Sequence, residues 1–219
     1  MAKERIGLFG GTFNPVHLGH LRAAWIVQKR FSLNKVLFIP SHIPPHKEST
    51  EIASPSHRLK MVELAVCGHP QFIASPIEIE ARGKSYSIVT LNKIKNVYPE
   101  AWIFFILGMD AFLEIDTWKD YERLLEQCLF IVIQRPGYHL NQAQEVLKGK
   151  YKGKIYTVSE SERINEELFS LYKIFLLSIE ALNISSTEIR RRIKEGKSIK
   201  ALVTVAVEAY IKENKIYQR

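Results

Sequence analysis

Short apolar runs alternate with helix-like stretches along most of the chain, and no other feature restricts its fold as much. Residues 5–9 form an apolar run ahead of a helical stretch at 18–31, and 35–39 stand ahead of 56–67. The pattern continues with 101–107 ahead of a helical region reaching 126, and 128–133 ahead of 140–148. Strands separated by helices pair in parallel. The predicted fold is therefore α/β, a doubly wound, mostly parallel sheet with helices on both faces, in which a ligand lies beyond the carboxyl ends of the strands. A last strand is predicted at 173–177, after a charged, exposed excursion at 160–168. The segment 41–56, with Pro44, Pro45 and Pro55, is long for a strand-to-helix loop, which marks it as functional or mobile.

Composition narrows the class. With 219 residues, 46% of them hydrophobic and 25% charged, the chain can bury one large core, so a single domain over 1–219 is expected. The longest apolar run, 101–109, is far short of the ~20 residues of a membrane-spanning helix, and the first residues lead straight into a strand, so a cytoplasmic protein with no membrane association is expected. Cys67 and Cys128 both lie in apolar segments and read as small core residues rather than a disulfide or zinc pair. The net charge of +8 points to anionic ligands, and residues 184–219 carry nine Lys and Arg against four Glu.

Two segments carry chemistry. After the first strand comes Gly10-Gly11-Thr12-Phe13-Asn14-Pro15-Val16-His17-Leu18-Gly19-His20, then a helix. The glycines admit a ligand close to the backbone, and the helix N-terminus offers N–H groups and a positive dipole end to phosphate. His17 and His20, three apart, face the same way and can donate to phosphate oxygens. A P-loop is excluded by the absent Gly-Lys-Ser/Thr, the dinucleotide pattern does not fit, and no zinc site is expected from His17, His20, His42 and His46. The second segment is Ile184-Ser185-Ser186-Thr187-Glu188-Ile189-Arg190-Arg191-Arg192. Ser185 and Glu188 form a capping box with Ser185 as N-cap. Three arginines near the positive end of a helix dipole point to an anion, with one of them reaching it and the other two facing solvent. The hydroxyls at 185–187, the backbone N–H groups and that guanidinium make a polyphosphate cradle.

Together these segments resemble the paired signature of the nucleotidylyltransferase superfamily, and within it the bacterial nicotinate mononucleotide adenylyltransferases. Further support comes from Ile39-Pro40-Ser41, Pro44-Pro45-His46-Lys47, Gly108-x-Asp110-x-Phe112 with Trp118, and Arg135-Pro136-Gly137. The resemblance spans about residues 5–210. It implies a Rossmann-like fold with a small helical C-terminal extension, the basic part at about 184–219 completing the ATP site. It also implies transfer of the adenylyl group of ATP to nicotinate mononucleotide, with Mg2+ bound on the ATP phosphates. By the same resemblance Gly10, Gly11, Thr12, Phe13, His17, His20, Ser185, Ser186, Thr187 and Arg190 hold ATP. His17, His20, Lys47 and Arg190 carry catalysis, and Ser85, Tyr86, Asp110, Trp118 and Arg135 bind the mononucleotide, with Trp118 stacking on its pyridine ring. One departure is Val89 in Ser85-Tyr86-Ser87-Ile88-Val89-Thr90-Leu91, where the family often has an acid. Phosphopantetheine adenylyltransferase is the neighbouring reading, opposed by the greater length and by Trp118. A nucleic-acid-binding module is opposed by the lack of aromatic and basic interleaving. A homo-oligomer stays open.

Overall fold

The computed structural model describes residues 3–43, 52–81, 83–134, 140–147, 149–159, 162–179 and 182–218. Seven strands form one sheet: β1 (Arg5–Gly11), β2 (Lys35–Pro40), β3 (Phe72–Ala74), β4 (Trp102–Gly108), β5 (Leu129–Gln134), β6 (Ile155–Val158) and β7 (Ile174–Ser178). Their order is β3-β2-β1-β4-β5-β7-β6, so the chain winds outward from β1 in one direction and then, from β4, in the other. This is the doubly wound, Rossmann-like arrangement that the βαβ alternation predicts. The pairs β1–β4, β4–β5, β5–β7 and β6–β7 are all parallel, with Phe9 opposite Ile106, Ile106 opposite Ile131, and Ile131 opposite Phe175. The helices are α1 (Leu18–Phe31), α2 (Pro55–Val66), α3 (Ile77–Glu80), α4 (Ser87–Val97), α5 (Met109–Leu113), α6 (Tyr121–Gln127), α7 (Leu140–Val146), α8 (Glu166–Leu171), α9 (Ser186–Lys194) and α10 (Val205–Glu213). Among the described residues no helix is long and apolar enough to cross a membrane.

The chain forms two compact units interleaved in sequence. The first comprises Met1–Phe9, Trp25–Val36 and Tyr86–Glu180. Its central strands β4 and β5 are near-continuous apolar runs because both of their faces are covered, as parallel strands require. Phe31, Phe104, Phe169 and Phe175 interlock there, with ring centroids 5.0 to 5.8 Å apart and mostly edge-to-face. The second unit comprises Gly10–Ala24, Leu37–Ser85 and Ala181–Arg219, with Phe13, Val16, Phe38, Met61, Val62, Ile189, Val207 and Ile211 in its core.

Two sequence expectations change here, and two strands have no counterpart in the sequence reading. The excursion at 160–168 is not exposed throughout: α8 begins within it, capped by Asn165, whose side chain accepts the Leu168 N–H, and opened by Glu166 and Glu167 at the positive end of its dipole. Phe169 then drives the helix into the aromatic cluster with only 2% exposure. Cys67 is exposed at the end of α2, whereas Cys128 is buried as expected, and burial pushes its thiol pKa up. The edge strands β3 and β6 are too short and too exposed to leave an apolar run in the sequence.

Candidate active site

The turn between β1 and α1 is bent by Phe13, which holds a positive φ of 47°, and by a cis bond between Asn14 and Pro15. A left-handed phenylalanine is strained and persists only where its surroundings over-determine it. Here the ring packs against Phe38 at 5.9 Å and presents an edge to His20 at 5.1 Å. A Cβ on Gly11 would meet that ring at 3.3 Å, so the glycine leaves room for it. The imidazoles of His17 and His20 stack, with centroids 3.7 Å apart and planes 26° from parallel. The His17 N–H donates to His20 Nδ1 at 3.2 Å, which assigns the proton of a neutral His20 to Nε2 and makes that nitrogen a donor. Gly19 permits the stack, because a Cβ there would lie 3.0 Å from His17 Nδ1. The two histidines therefore do share one direction, as their spacing predicts. The helix start offers fewer open N–H groups than the sequence suggests, since the N–H of Leu18 goes to the Leu202 carbonyl and that of His20 to the His17 carbonyl.

The second segment meets the first within the same unit. Ser185 caps α9 as predicted, its hydroxyl accepting the Glu188 N–H at 3.1 Å. Ser186 donates its hydroxyl to the Pro15 carbonyl at 2.9 Å, and Arg190 Nη1 donates to the Asn14 carbonyl at 3.0 Å, contacts spanning 171 and 176 positions. Thr187 Oγ1 stands 3.5 Å from Arg190 Nη2. Arg191 and Arg192 point outward, 53% and 40% exposed, yet they are not waiting for an anion. Glu188 takes both guanidinium groups at 2.8 to 2.9 Å and Glu195 takes Arg191 at 2.7 Å. Those bonds hold the Glu188 carboxyl down at about 2, and they replace the reciprocal half of the capping box. The arginine triplet thus divides: Arg191 and Arg192 pair with carboxylates, and Arg190 reaches the turn after β1.

Three further residues shape the turn. Arg58 is fully buried at the head of the α2 face formed by Met61, Val62, Ala65 and Val66. Its Nε, Nη1 and Nη2 donate to the carbonyls of Ala53, Thr12 and His42, each at 2.9 Å. Burial pushes its pKa down. Asn14, 6% exposed, accepts the Ala53 N–H and the Tyr217 hydroxyl on its side-chain oxygen. Ser41 donates its N–H to the Gly11 carbonyl, and its buried Oγ has no hydrogen-bond partner among the described residues. Arg58 lacked a local signal, since an arginine in a helix reads as solvated. Asn14 and Ser41 stood inside the signature segments without an assigned role.

Ser85 belongs to the same unit, where its hydroxyl accepts the His42 N–H at 2.9 Å. Tyr86, Asp110 and Trp118 lie in the first unit. Tyr86 is the extended residue before α4, and the Lys119 ammonium sits 4.8 Å over its ring. Trp118 is half-buried at the end of a short helical turn, and Asp110 is exposed in the first turn of α5, beside β4. A Cβ on Gly108 would collide with the Asp110 carboxylate. Val89 is 42% exposed on α4. Lys47 and Arg135 lie outside the described residues. Among the described residues no group of three or more His, Cys, Asp or Glu gathers that could hold a metal ion.

A parallel doubly wound sheet, a glycine and histidine turn after its first strand, and a hydroxyl-capped arginine helix bonded to that turn define a nucleotidyltransferase-type domain. The chain belongs to the cytidylyltransferase-like family, which matches residues 8–192. It is 42% identical to a protein of Desulfatibacillum aliphaticivorans named "Probable nicotinate-nucleotide adenylyltransferase", with 97% of this chain and 99% of that one covered. It is 40% identical to a protein of Moorella thermoacetica with the same name, covering 98% of this chain and 92% of that one. The fold is shared with the Plasmodium falciparum nicotinic acid mononucleotide adenylyltransferase. The form complexed with NaAD superposes with a TM-score of 0.72 at 18% identity, covering 98% of this chain and 97% of that one. The form complexed with APC gives 0.70 with the same identity and coverage.

Proposed function

We propose that the protein transfers the adenylyl group of ATP to nicotinate mononucleotide, releasing pyrophosphate and forming nicotinate adenine dinucleotide, a step of cytoplasmic NAD synthesis. The observation that carries this reading is the pair of hydrogen bonds from Ser186 and Arg190 to the carbonyls of Pro15 and Asn14, which join, across 171 and 176 positions of this chain, the two segments read as phosphate-binding. The phosphate of the mononucleotide attacks the α-phosphorus of ATP, a new P–O bond forms, and the bond to the β-phosphate breaks. That phosphate is already an anion near neutral pH, its second pKa being about 6, so no general base is required. The protein's work is to position two polyanions and to stabilise charge growing on the leaving pyrophosphate.

In this reading Gly10, Gly11, Thr12 and Phe13 border the ATP phosphates. His17 and His20 donate to them, and Ser185, Ser186, Thr187 and Arg190 hold the pyrophosphate portion. Magnesium enters as part of the substrate, carried on triphosphate oxygens and water, which suits an ion that keeps much of its hydration. Lys47 is proposed to face the reacting phosphates or the mononucleotide phosphate, Asp110 to bind ribose hydroxyls or position magnesium through water, and Trp118 to stack on the pyridine ring, with Ser85 and Tyr86 near its carboxylate and Arg135 among the residues that bind the mononucleotide.

The test is pyrophosphate release by the purified protein with ATP and magnesium, offered nicotinate mononucleotide, nicotinamide mononucleotide or phosphopantetheine separately. Turnover with the first, abolished by EDTA, is expected. Turnover with phosphopantetheine alone, or with none of the three, would overturn the assignment.

A further inference from the structure

Tyr217 lies in the turn after α10, 203 positions from Asn14, yet its hydroxyl donates to Asn14 Oδ1 at 2.7 Å. The same oxygen accepts the Ala53 N–H at 3.0 Å, and the backbone carbonyl of Asn14 receives Arg190 Nη1 at 3.0 Å. One residue thus links the turn after β1, the segment ahead of α2, the turn after α10 and the guanidinium of α9, all within one unit. The geometry of Tyr217 is held at a conformational cost. Its φ is +66° and that of Lys215 is +52°, two left-handed non-glycine residues in one short turn, which persist where contacts over-determine them. Burial pushes the phenol pKa up, while the neighbouring guanidinium groups of Arg190 and Arg58 pull it down. The balance is upward, so the hydroxyl remains a proton donor throughout the physiological range. A phenylalanine could fill the same space; the hydroxyl adds the bond to Asn14.

We propose that Tyr217 is a positioning residue for adenylyl transfer: through Asn14 it fixes the carbonyl that orients the Arg190 guanidinium toward the leaving pyrophosphate. The inference rests on the proposed function, and it concerns ATP rather than the acceptor. Loss of the hydroxyl leaves Asn14 Oδ1 bonded to the Ala53 N–H, loosens the residue and its carbonyl, and lets Arg190 sample orientations that miss the phosphates.

The experiment compares the full chain with Tyr217→Phe, Arg190→Ala and the double variant. Calorimetry gives Kd for ATP with magnesium, and steady-state kinetics gives KM for each substrate. Tyr217→Phe should raise Kd and KM for ATP by about three- to tenfold, the scale of one oriented hydrogen bond, with KM for nicotinate mononucleotide unchanged. In the Arg190→Ala background the same substitution should add nothing, because residues that act through one another are non-additive. Calorimetry well below the unfolding temperature keeps the comparison valid in a destabilised variant. Parental ATP affinity in Tyr217→Phe, or an equal loss with and without Arg190, would overturn the inference. A parent that binds no ATP would instead overturn the proposed function.

Discussion

Arg58→Met should cost the protein about 3 kcal/mol of stability, and the figure follows from a competition that the structure makes explicit. The arginine is fully buried, and among the described residues its charge is opposed by desolvation rather than matched by a carboxylate, its three hydrogen bonds there ending on backbone carbonyls. Removing a desolvated cation in favour of an apolar chain of similar length is by itself close to neutral. The three carbonyls left behind decide the sign. Each loses a charged donor at 2.9 Å, and an acceptor left unsatisfied costs about 1–3 kcal/mol, taken at the lower end because these bonds are only partly buried. Three such losses give about 3 kcal/mol, and for a chain of this length that lowers the thermal midpoint by about 6–12 °C. Circular dichroism melts with and without saturating ATP and magnesium measure it. Arg58→Lys, which keeps the charge and satisfies fewer carbonyls, should fall between. A midpoint for Arg58→Met within 2 °C or so of the parent would show that water replaces the guanidinium at all three carbonyls and that Arg58 contributes little to stability.

Replacing His17 or His20 by Ala should lower kcat by about 10²-fold or more with the fold intact, as loss of one transition-state donor does, and stopped assays of pyrophosphate release will show whether either is dispensable. Arg190→Ala should weaken ATP use far more than Arg191→Ala or Arg192→Ala, because the latter two are engaged with Glu188 and Glu195; equal KM changes in all three would remove the distinction. Trp118→Ala should raise KM for the mononucleotide and spare KM for ATP, and the parent should favour the acid over the amide by more than about 10²-fold in kcat/KM. A defect confined to ATP would displace the pyridine from Trp118.

Much of the fold is written locally. The strands β1, β2, β4, β5 and β7 are runs of four or more buried residues, and parallel strands covered on both faces must be such runs. The helix α1 covers the residues its periodicity predicts, and Ser185 announces the start of α9. Part of what stays hidden is marginal burial: β3 and β6 have too few buried positions to be seen, and α8 is a charged stretch whose single Phe169 does the anchoring.

The site divides along a similar line. Residues proposed for a polyanion are basic, hydroxylic or glycine at close spacing, so His17, His20, Ser186 and Arg190 stand out by residue type and spacing alone. Arg58 and Tyr217, also bonded to the turn after β1, carry no such mark, because their partners are backbone atoms or a distant amide. Arg58 recognises three carbonyls and Tyr217 an amide oxygen, and a carbonyl looks the same at every position of a sequence. The same blindness explains the arginine triplet. Its charge pattern is local and legible, but the carboxylates of Glu188 and Glu195 engage two of the three side chains, and only the long-range bond from Arg190 to the Asn14 carbonyl tells them apart.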